Sequence, residues 1–322
     1  MKPGVIVVFL IAALCTAGAQ AQSFPNRPVR IIVPQPAGGL TDTLGRALGQ
    51  RLSESWSQPV VVENRAGGNT IIAAELVAKA TPDGYTLLLT SDTTHTALPF
   101  LYTRLPFDPQ KDFAPVTVLV STNEILVAPS TLPAESLAEF IALAKSRPGT
   151  LNYASFGNGS PPHLSMELFK NEAVISLVHV PYKGVAPAIA DMVGGHVQVM
   201  FASISAPLPH IRSGKLRALA FAGPRRSRLL PDVPTFLELG YPDFQSGAWF
   251  GIVAPAGTPP AVIRRLAGDM AGIVRDRDFS DKFITGVGLE PVGNTPEQFA
   301  EFLIADRERV GKKVKVSGAR LD

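Results

Sequence analysis

Two glycine-rich turns carry the residues of this chain best placed to do chemistry. The first runs Val33-Pro34-Gln35-Pro36-Ala37-Gly38-Gly39-Leu40-Thr41-Asp42, the second Tyr153-Ala154-Ser155-Phe156-Gly157-Asn158-Gly159-Ser160-Pro161-Pro162-His163. Each joins a strand-like apolar run to a helical pattern, and they lie in opposite halves of the chain. Glycine lets the backbone approach a ligand closely, and the first amides of a helix point outward with a partial positive charge. Two such turns facing one another would hold an anion, such as a carboxylate, without an arginine.

Each residue also has a structural reading. Ser160 followed by Pro161 is the pattern of an N-cap and a first helical residue. Thr41 and Asp42 likewise begin a helix; Asp42 complements the helix dipole and would repel an anion, so its expected role is to order a backbone amide or a water. His163, one turn into its helix, is either a core residue or a ligand contact that titrates near neutrality. Lys183 is a cation beside a candidate crevice turn, but a turn lysine is usually solvated. His95, in Asp92-Thr93-Thr94-His95-Thr96, follows a strand end and could tune specificity. Tyr182 and Trp249 read better as core than as a ligand wall.

Catalytic patterns fare worse. Ser160 and His163 are three apart, yet a nucleophilic serine needs a sharp Gly-x-Ser-x-Gly elbow and a carboxylate to orient its base, whereas proline follows Ser160. The five histidines are dispersed, no His-Glu-x-x-His run occurs, and no phosphate-cradling glycine motif follows a strand. No enzyme, cofactor or metal site is expected.

The elements that must position the turns alternate. Val29–Val33 is a short apolar strand, and Leu44, Ala47, Leu48 and Leu52 then recur at helical spacing. Val60–Val62, Ile71–Ala80 and Thr86–Leu89 repeat strand, helix, strand, with Pro82-Asp83-Gly84 ending the helix. In the second half, Leu137–Ala144 reads as a helix, Leu151–Ala154 as a strand, and Leu164, Leu168 and Phe169 mark a helix after the second turn. Val178–Val180, Ala188–Val193 and Val197–Phe201 follow as strand, helix, strand. The pattern predicts an α/β fold in two lobes, each a parallel sheet covered by helices, with the ligand crevice at the carboxyl ends of the strands. Val116–Val127 and Trp249–Val253 flank the second set as candidate crossovers. That places lobe 1 at residues 22–124 and 250–322 and lobe 2 at 125–249, joined by a hinge that opens and closes an interdomain cleft.

Lys2, the apolar run Val5–Ala17 and Ala19-Gln20-Ala21 have the form of a signal peptide cleaved after Ala21. Cys15 is the single cysteine, so the mature chain has no disulfide or thiol chemistry, which suits a periplasm. The formal charge is +3, with basic residues scattered among acidic ones, so nucleic acid is not an expected partner. The one dense basic patch, Arg225-Arg226-Ser227-Arg228, reads as a solvated face, and a monomer is the default.

Many motifs in order carry a resemblance. They include Pro36-Ala37-Gly38-Gly39-x-x-Asp42, Gln58 to Arg65 with Gly67-Gly68-Asn69, Pro82 to Tyr85, Lys111 to Val116, Leu151 to Ser155 with Gly157 to Ser160 and His163, Val180 to Gly184, Leu230 to Thr235 and Ala254 to Pro259. Across the mature chain they resemble the Bug family, the solute receptors of tripartite tricarboxylate transporters. That resemblance implies a two-lobed periplasmic binding protein of type II-like form, which holds a small carboxylate by backbone amides and waters and delivers it to integral membrane transporter subunits. Carried over by motif, Pro36, Ala37, Gly38, Gly39, Thr41 and Asp42 would bind from one lobe, and Gly157, Asn158, Gly159, Ser160 and His163 from the other. Ser91 and Ala186 would line the pocket. Gln35 stands where the family commonly has an aromatic residue, and Ala202 where many members have aspartate, which makes an ammonium-bearing ligand less favoured. A receptor that signals to a membrane sensor, and a periplasmic hydrolase, are the alternative functions.

Overall fold

The computed structural model describes residues 24–242 and 244–320. The leader and the cleavage after Ala21 lie outside the described residues. In chain order the first half holds β1 (Val29–Val33), α1 (Leu40–Trp56), β2 (Val60–Asn64), α2 (Ile71–Ala78), β3 (Thr86–Ser91), a wide helical turn Thr93–Ala97 and α3 (Leu98–Leu101). A long strand, β4 (Phe113–Pro129), leads to α4 (Leu137–Ser146), β5 (Asn152–Ser155), α5 (Pro161–Ala173), β6 (Val178–Pro181), α6 (Val185–Val193), β7 (Val199–Ser203), α7 (Leu208–Arg212) and β8 (Leu216–Phe221). The chain ends with β9 (Gly247–Pro255), α8 (Pro260–Arg275), α9 (Arg277–Phe283), β10 (Glu290–Pro291) and α10 (Pro296–Ser317).

The strand order is β2-β1-β3-β9-β4-β7-β5-β6, with β8 and β10 also on β4. The expected parallel sheets are only partly found. The sets β2-β1-β3 and β6-β5-β7 are parallel, but β9 and β4 run against them. The reason is the path of the chain. A strand that arrives from the other lobe enters at the carboxyl edge of the sheet, Phe250 beside Ser91 and Glu124 beside Ser203, and must run backwards from there. β4 pairs with β9 from Phe113 to Asn123, then with β7 and β8 from Glu124 onward, so its partners change where it passes between lobes. At this crossing Gly247 lies so close to β4 that an added Cβ would overlap the Thr122 carbonyl oxygen.

Helix packing fixes the turns. Leu44, Leu48 and Leu52 of α1 are buried against Val29, Ile31 and Val33 of β1. Gly45 and Gly49 share that face, and Cβ atoms there would lie 3.3 Å from Val33 and Leu89 and 3.1 Å from Val62. Small residues thus let α1 sit close on the sheet with its first turn beside the carboxyl edge. In the second lobe Tyr153, Phe169, Phe201, Phe236 and Phe244 form an aromatic core that seats α5 over β5 and β7. The last helix spans both lobes. Phe299 joins the core of Ile32 and Leu88 in the first, while Val310 and Val314 meet Leu164 of α5, with Ala97 and Leu101 completing the cluster.

Candidate functional site

Both glycine turns sit where the chemistry needs them, at the carboxyl ends of central strands. The first follows β1, whose parallel neighbour β3 ends at Ser91, so Pro36–Asp42 and Ser91 share one sheet edge. Pro36 to Gly39 are exposed, while Thr41, Asp42 and Ser91 are buried. Gly38 adopts φ +88°, and a Cβ there would meet nothing within 4 Å, so its Cα faces open space. Gly39 is the N-cap of α1, and no side chain caps the helix, which leaves its first amides free to meet a ligand.

The turn is held from behind. Asp42 Oδ2 accepts the Gly38 N–H at 2.9 Å and the Nε–H of Arg46, one helical turn on, at 3.1 Å, while Oδ1 lies 3.0 Å from the same Nε as an ion-pair contact and has no hydrogen-bond partner among the described residues. The Gly38 amide, then the Arg46 side chain, hold the Asp42 carboxyl below the ordinary carboxylate range. Arg46 also donates to Asn64 Oδ1 at 2.9 Å, and Asn64 Nδ2 donates to the Gln35 carbonyl at 3.1 Å. Asp42 therefore orders a backbone amide, as its position predicts, and the Gly38 N–H is spent on that bond. The side-chain oxygen Oε1 of Gln35 is buried with no hydrogen-bond partner among the described residues.

A third turn follows β2 at the same edge of the sheet. Gly67, Gly68, Asn69 and Thr70, after β2, all have positive φ, and the Thr70 hydroxyl meets that of Thr94 at 2.9 Å. Positive φ at a β-branched residue is strained, and the hydroxyl pair ties the turn to the segment after β3. Its glycine pair is visible in the sequence; the torsions of Asn69 and Thr70 are not.

The second turn presents fewer free amides than its glycines suggest. Gly157 N–H donates to Ser155 Oγ at 3.1 Å, Ser160 N–H to the Gly157 carbonyl at 3.2 Å, and Gly159 N–H to His163 Nδ1 at 3.1 Å. Ser160 stands at the N-cap of α5 with Pro161 next, but its hydroxyl donates to the Gly157 carbonyl at 2.7 Å and caps nothing. The N-cap hydroxyl accepts from the second or third helical amide; the second here is Pro162, which has none. The exposed Asn158 remains at the tip, and the His163 amide at the third position.

His163 is buried, and burial pushes its pKa below the ordinary value. Because its Nδ1 accepts from Gly159, the neutral ring carries its proton on Nε2. It stacks 4.3 Å from His179, which burial and then His163 push down to about 4, and His179 Nε2 meets Ser155 Oγ at 2.6 Å. Two neutral imidazoles thus brace the loop from inside the lobe. No hydrogen bond among the described residues joins Ser160 to His163, so the serine–histidine pair required for nucleophilic catalysis is not formed there.

Ala186 is exposed in the first turn of α6, whose N-cap Gly184 has no capping side chain, and the Tyr182 N–H donates to the Ser155 carbonyl at 2.9 Å, which fixes this turn beside the second loop. Lys183 is exposed. Tyr182 is committed to Asp191 at 2.7 Å and Trp249 to Asp306 at 2.8 Å, both as structural contacts. His95 is a core residue, packed on Phe113 and Trp249, with its pKa pushed down to about 4 by burial. The lobes meet where Gly159 and Pro161 face Asp92 and Thr93 across a cavity of about 20 Å³.

Among the described residues no helix is long and apolar enough to cross a membrane. Residues 44–318 match the model of the tripartite tricarboxylate transporter family receptor. Protein BugT of Bordetella pertussis is 38% identical over 318 residues, covering 98% of this chain and 97% of that protein. The structure of R. palustris Rpa4515 with adipate is similar at a TM-score of 0.80 and 35% identity, over 92% of this chain and 100% of the other. That of MatC from Rhodopseudomonas palustris with bound malate gives 0.74 and 34%, over 90% and 100%. These neighbours share the two-lobed periplasmic binding-protein fold, and the family is one of solute receptors and not of enzymes. The chain belongs to the tripartite tricarboxylate transporter receptor family, the one its ordered motifs resemble.

Proposed function

We propose that the mature chain captures a small dicarboxylate between lobes 22–124 with 250–322 and 125–249, and delivers it to integral membrane subunits of a tripartite transporter. The uncapped start of α1 carries the reading. No side chain of the described residues caps the first turn of α1, and the only carboxylate in that turn, Asp42, is engaged by Gly38 and Arg46. Pro36, Ala37, Gly38, Gly39 and Thr41 supply the first half of the site, with Ser91 beside them. Gly157, Asn158, Gly159, Ser160, His163 and Ala186 supply the second. The neutral His163 offers an Nε2 proton to a carboxylate oxygen. Closure excludes water and strengthens each of these hydrogen bonds. Adipate and malate in the two related structures support dicarboxylates as the ligand class.

Thermal unfolding of the mature protein, stripped of carried ligand, tests this against dicarboxylates, tricarboxylates, amino acids and aromatic acids. A ligand at a hundred times its Kd adds about 2.7 kcal/mol. The expected result is a shift of a few degrees with one or a few dicarboxylates. No shift with any carboxylate would overturn the reading.

A further inference from the structure

A buried ionic cluster lies between the lobes, beside the second glycine turn. Asp92 follows β3, Glu124 sits on β4 at the crossing, and Asp306, Arg309 and Lys313 come from α10. All but Arg309 are buried. Glu124 accepts from Ser165 of α5 at 2.6 Å and from Ser246, while Lys313 donates to Ser246 at 3.2 Å. Asp306 accepts from Trp249 at 2.8 Å and Thr96 at 2.9 Å and pairs with Arg309, which also donates to the Gln245 carbonyl. Glu124 and Ser246 thus tie both crossing strands to a helix of the second lobe, and Lys313 ties them to α10.

Asp92 lines the small cavity at the centre of this arrangement. One wall is Thr93, Ala97, Arg309, Val310 and Lys313; the other, from the second lobe, is Gly159, Pro161, Leu164 and Ser165. Leu164, Ala97, Leu101, Val310 and Val314 seal it with apolar contacts. Separation of the lobes takes Leu164 and Gly159 away and lets water reach Asp92. In the packed arrangement three carboxyls face two cations, and one added proton makes the cluster neutral.

We propose that Asp92 binds a proton when the lobes pack together, so that this junction is a proton-linked latch on opening and closing. The groups around it agree. Burial, then the charge of Asp306, raises the Asp92 carboxyl to about 7, and Glu124 adds to this, while the Thr93 amide and Arg309 oppose it without reversing it. The hydrated carboxyl of the separated lobes returns towards 3.8. Between these values the packed form holds a proton that the open form has released. Packing is therefore favoured at low pH, loses ground as pH rises from about 4 to about 7, and is level above that. Lys313, pushed down to about 8 by burial, has its effect only above that range and with opposite sign. His163, which holds Gly159 on the facing wall, also acts with opposite sign, because its protonation in acid frees that amide.

The test needs no ligand and is independent of the carboxylate reading. Fluorophores are placed on the full mature chain at Val61→Cys on β2 and Val178→Cys on β6, two exposed positions on the outer strands of the two lobes. Energy transfer is then followed from pH 4 to 8.5. The expected result is a packed fraction that falls up to about pH 7 and then stays level, and a packed fraction in Asp92→Asn that does not fall over this range. If Asp92→Asn does not fold, Lys313→Met replaces it; loss of that cation disfavours the ionised carboxylate, so the fall must continue above pH 7. A wild-type distance independent of pH, an Asp92→Asn profile with the wild-type slope, or an unshifted Lys313→Met profile would overturn the proposal.

Discussion

At the scale of single residues, Asp42 shows how an acid can brace the proposed anion site. Its carboxylate grips the Gly38 amide and Arg46, and no side chain of the described residues caps the next amides of α1. Asp42→Ala removes the grip while water can reach the exposed Gly38 N–H, so stability should fall by only about 1 kcal/mol. Carboxylate affinity should fall about tenfold, since the turn must then be ordered at the moment of binding and each lost order of magnitude is about 1.4 kcal/mol. Denaturation and calorimetric titration check the two halves of this statement. Because the Asp42 carboxyl titrates below its ordinary value, the brace holds through the neutral range and is lost only as pH falls through that depressed value. That Asp42 begins a helix was legible in the sequence. The Gly38 partner was not, because it depends on a positive-φ turn folding back over the helix start. His163 was legible as an ambiguity between core and site, and its contact with Gly159 and stacking on His179 add a brace to the second loop.

At the scale of elements, the alternation of strand and helix was readable almost throughout, because buried strands and one-sided helices leave different periodicities. Strand direction was not. β9 and β4 carry the same apolar composition whichever way they run, and only the crossing between lobes makes them antiparallel to their neighbours. Helix starts divide in the same way. Ser136 caps α4 by accepting from the Glu139 amide at 3.2 Å, whereas Ser160 occupies the corresponding place on α5 with its hydroxyl turned to Gly157. Ser136→Ala should therefore cost about 1 kcal/mol. Ser160→Ala should cost less than half of that and should act on the second loop instead, raising the Kd for the carboxylate. Urea unfolding of both variants separates the two, and equal destabilisation would contradict the geometry.

At the scale of the whole molecule, the two lobes repeat one plan, a parallel three-strand set with a glycine turn after its central strand, β1 in one and β5 in the other. Each turn is locked by its own lobe, Asp42 and Arg46 in the first and His163 and His179 in the second. In the proposed clamp a bound carboxylate adds a contact between these two turns. The third connection, α10, lies in a segment that the sequence assigns to the first lobe alone, since Val310 and Val314 look like any apolar face until Leu164 is found against them. The measurement that bears most directly on this account is calorimetric titration of the wild type, Gly38→Val and Gly159→Val with whichever dicarboxylate raises the unfolding temperature. Both glycines have positive φ, and each sits within a loop assigned to the anion. If the carboxylate is clamped by both lobes, both variants fold and both lose affinity by about a hundredfold or more, or roughly 3 kcal/mol. Wild-type affinity in either variant would show that the carboxylate rests on one lobe alone and would contradict the account.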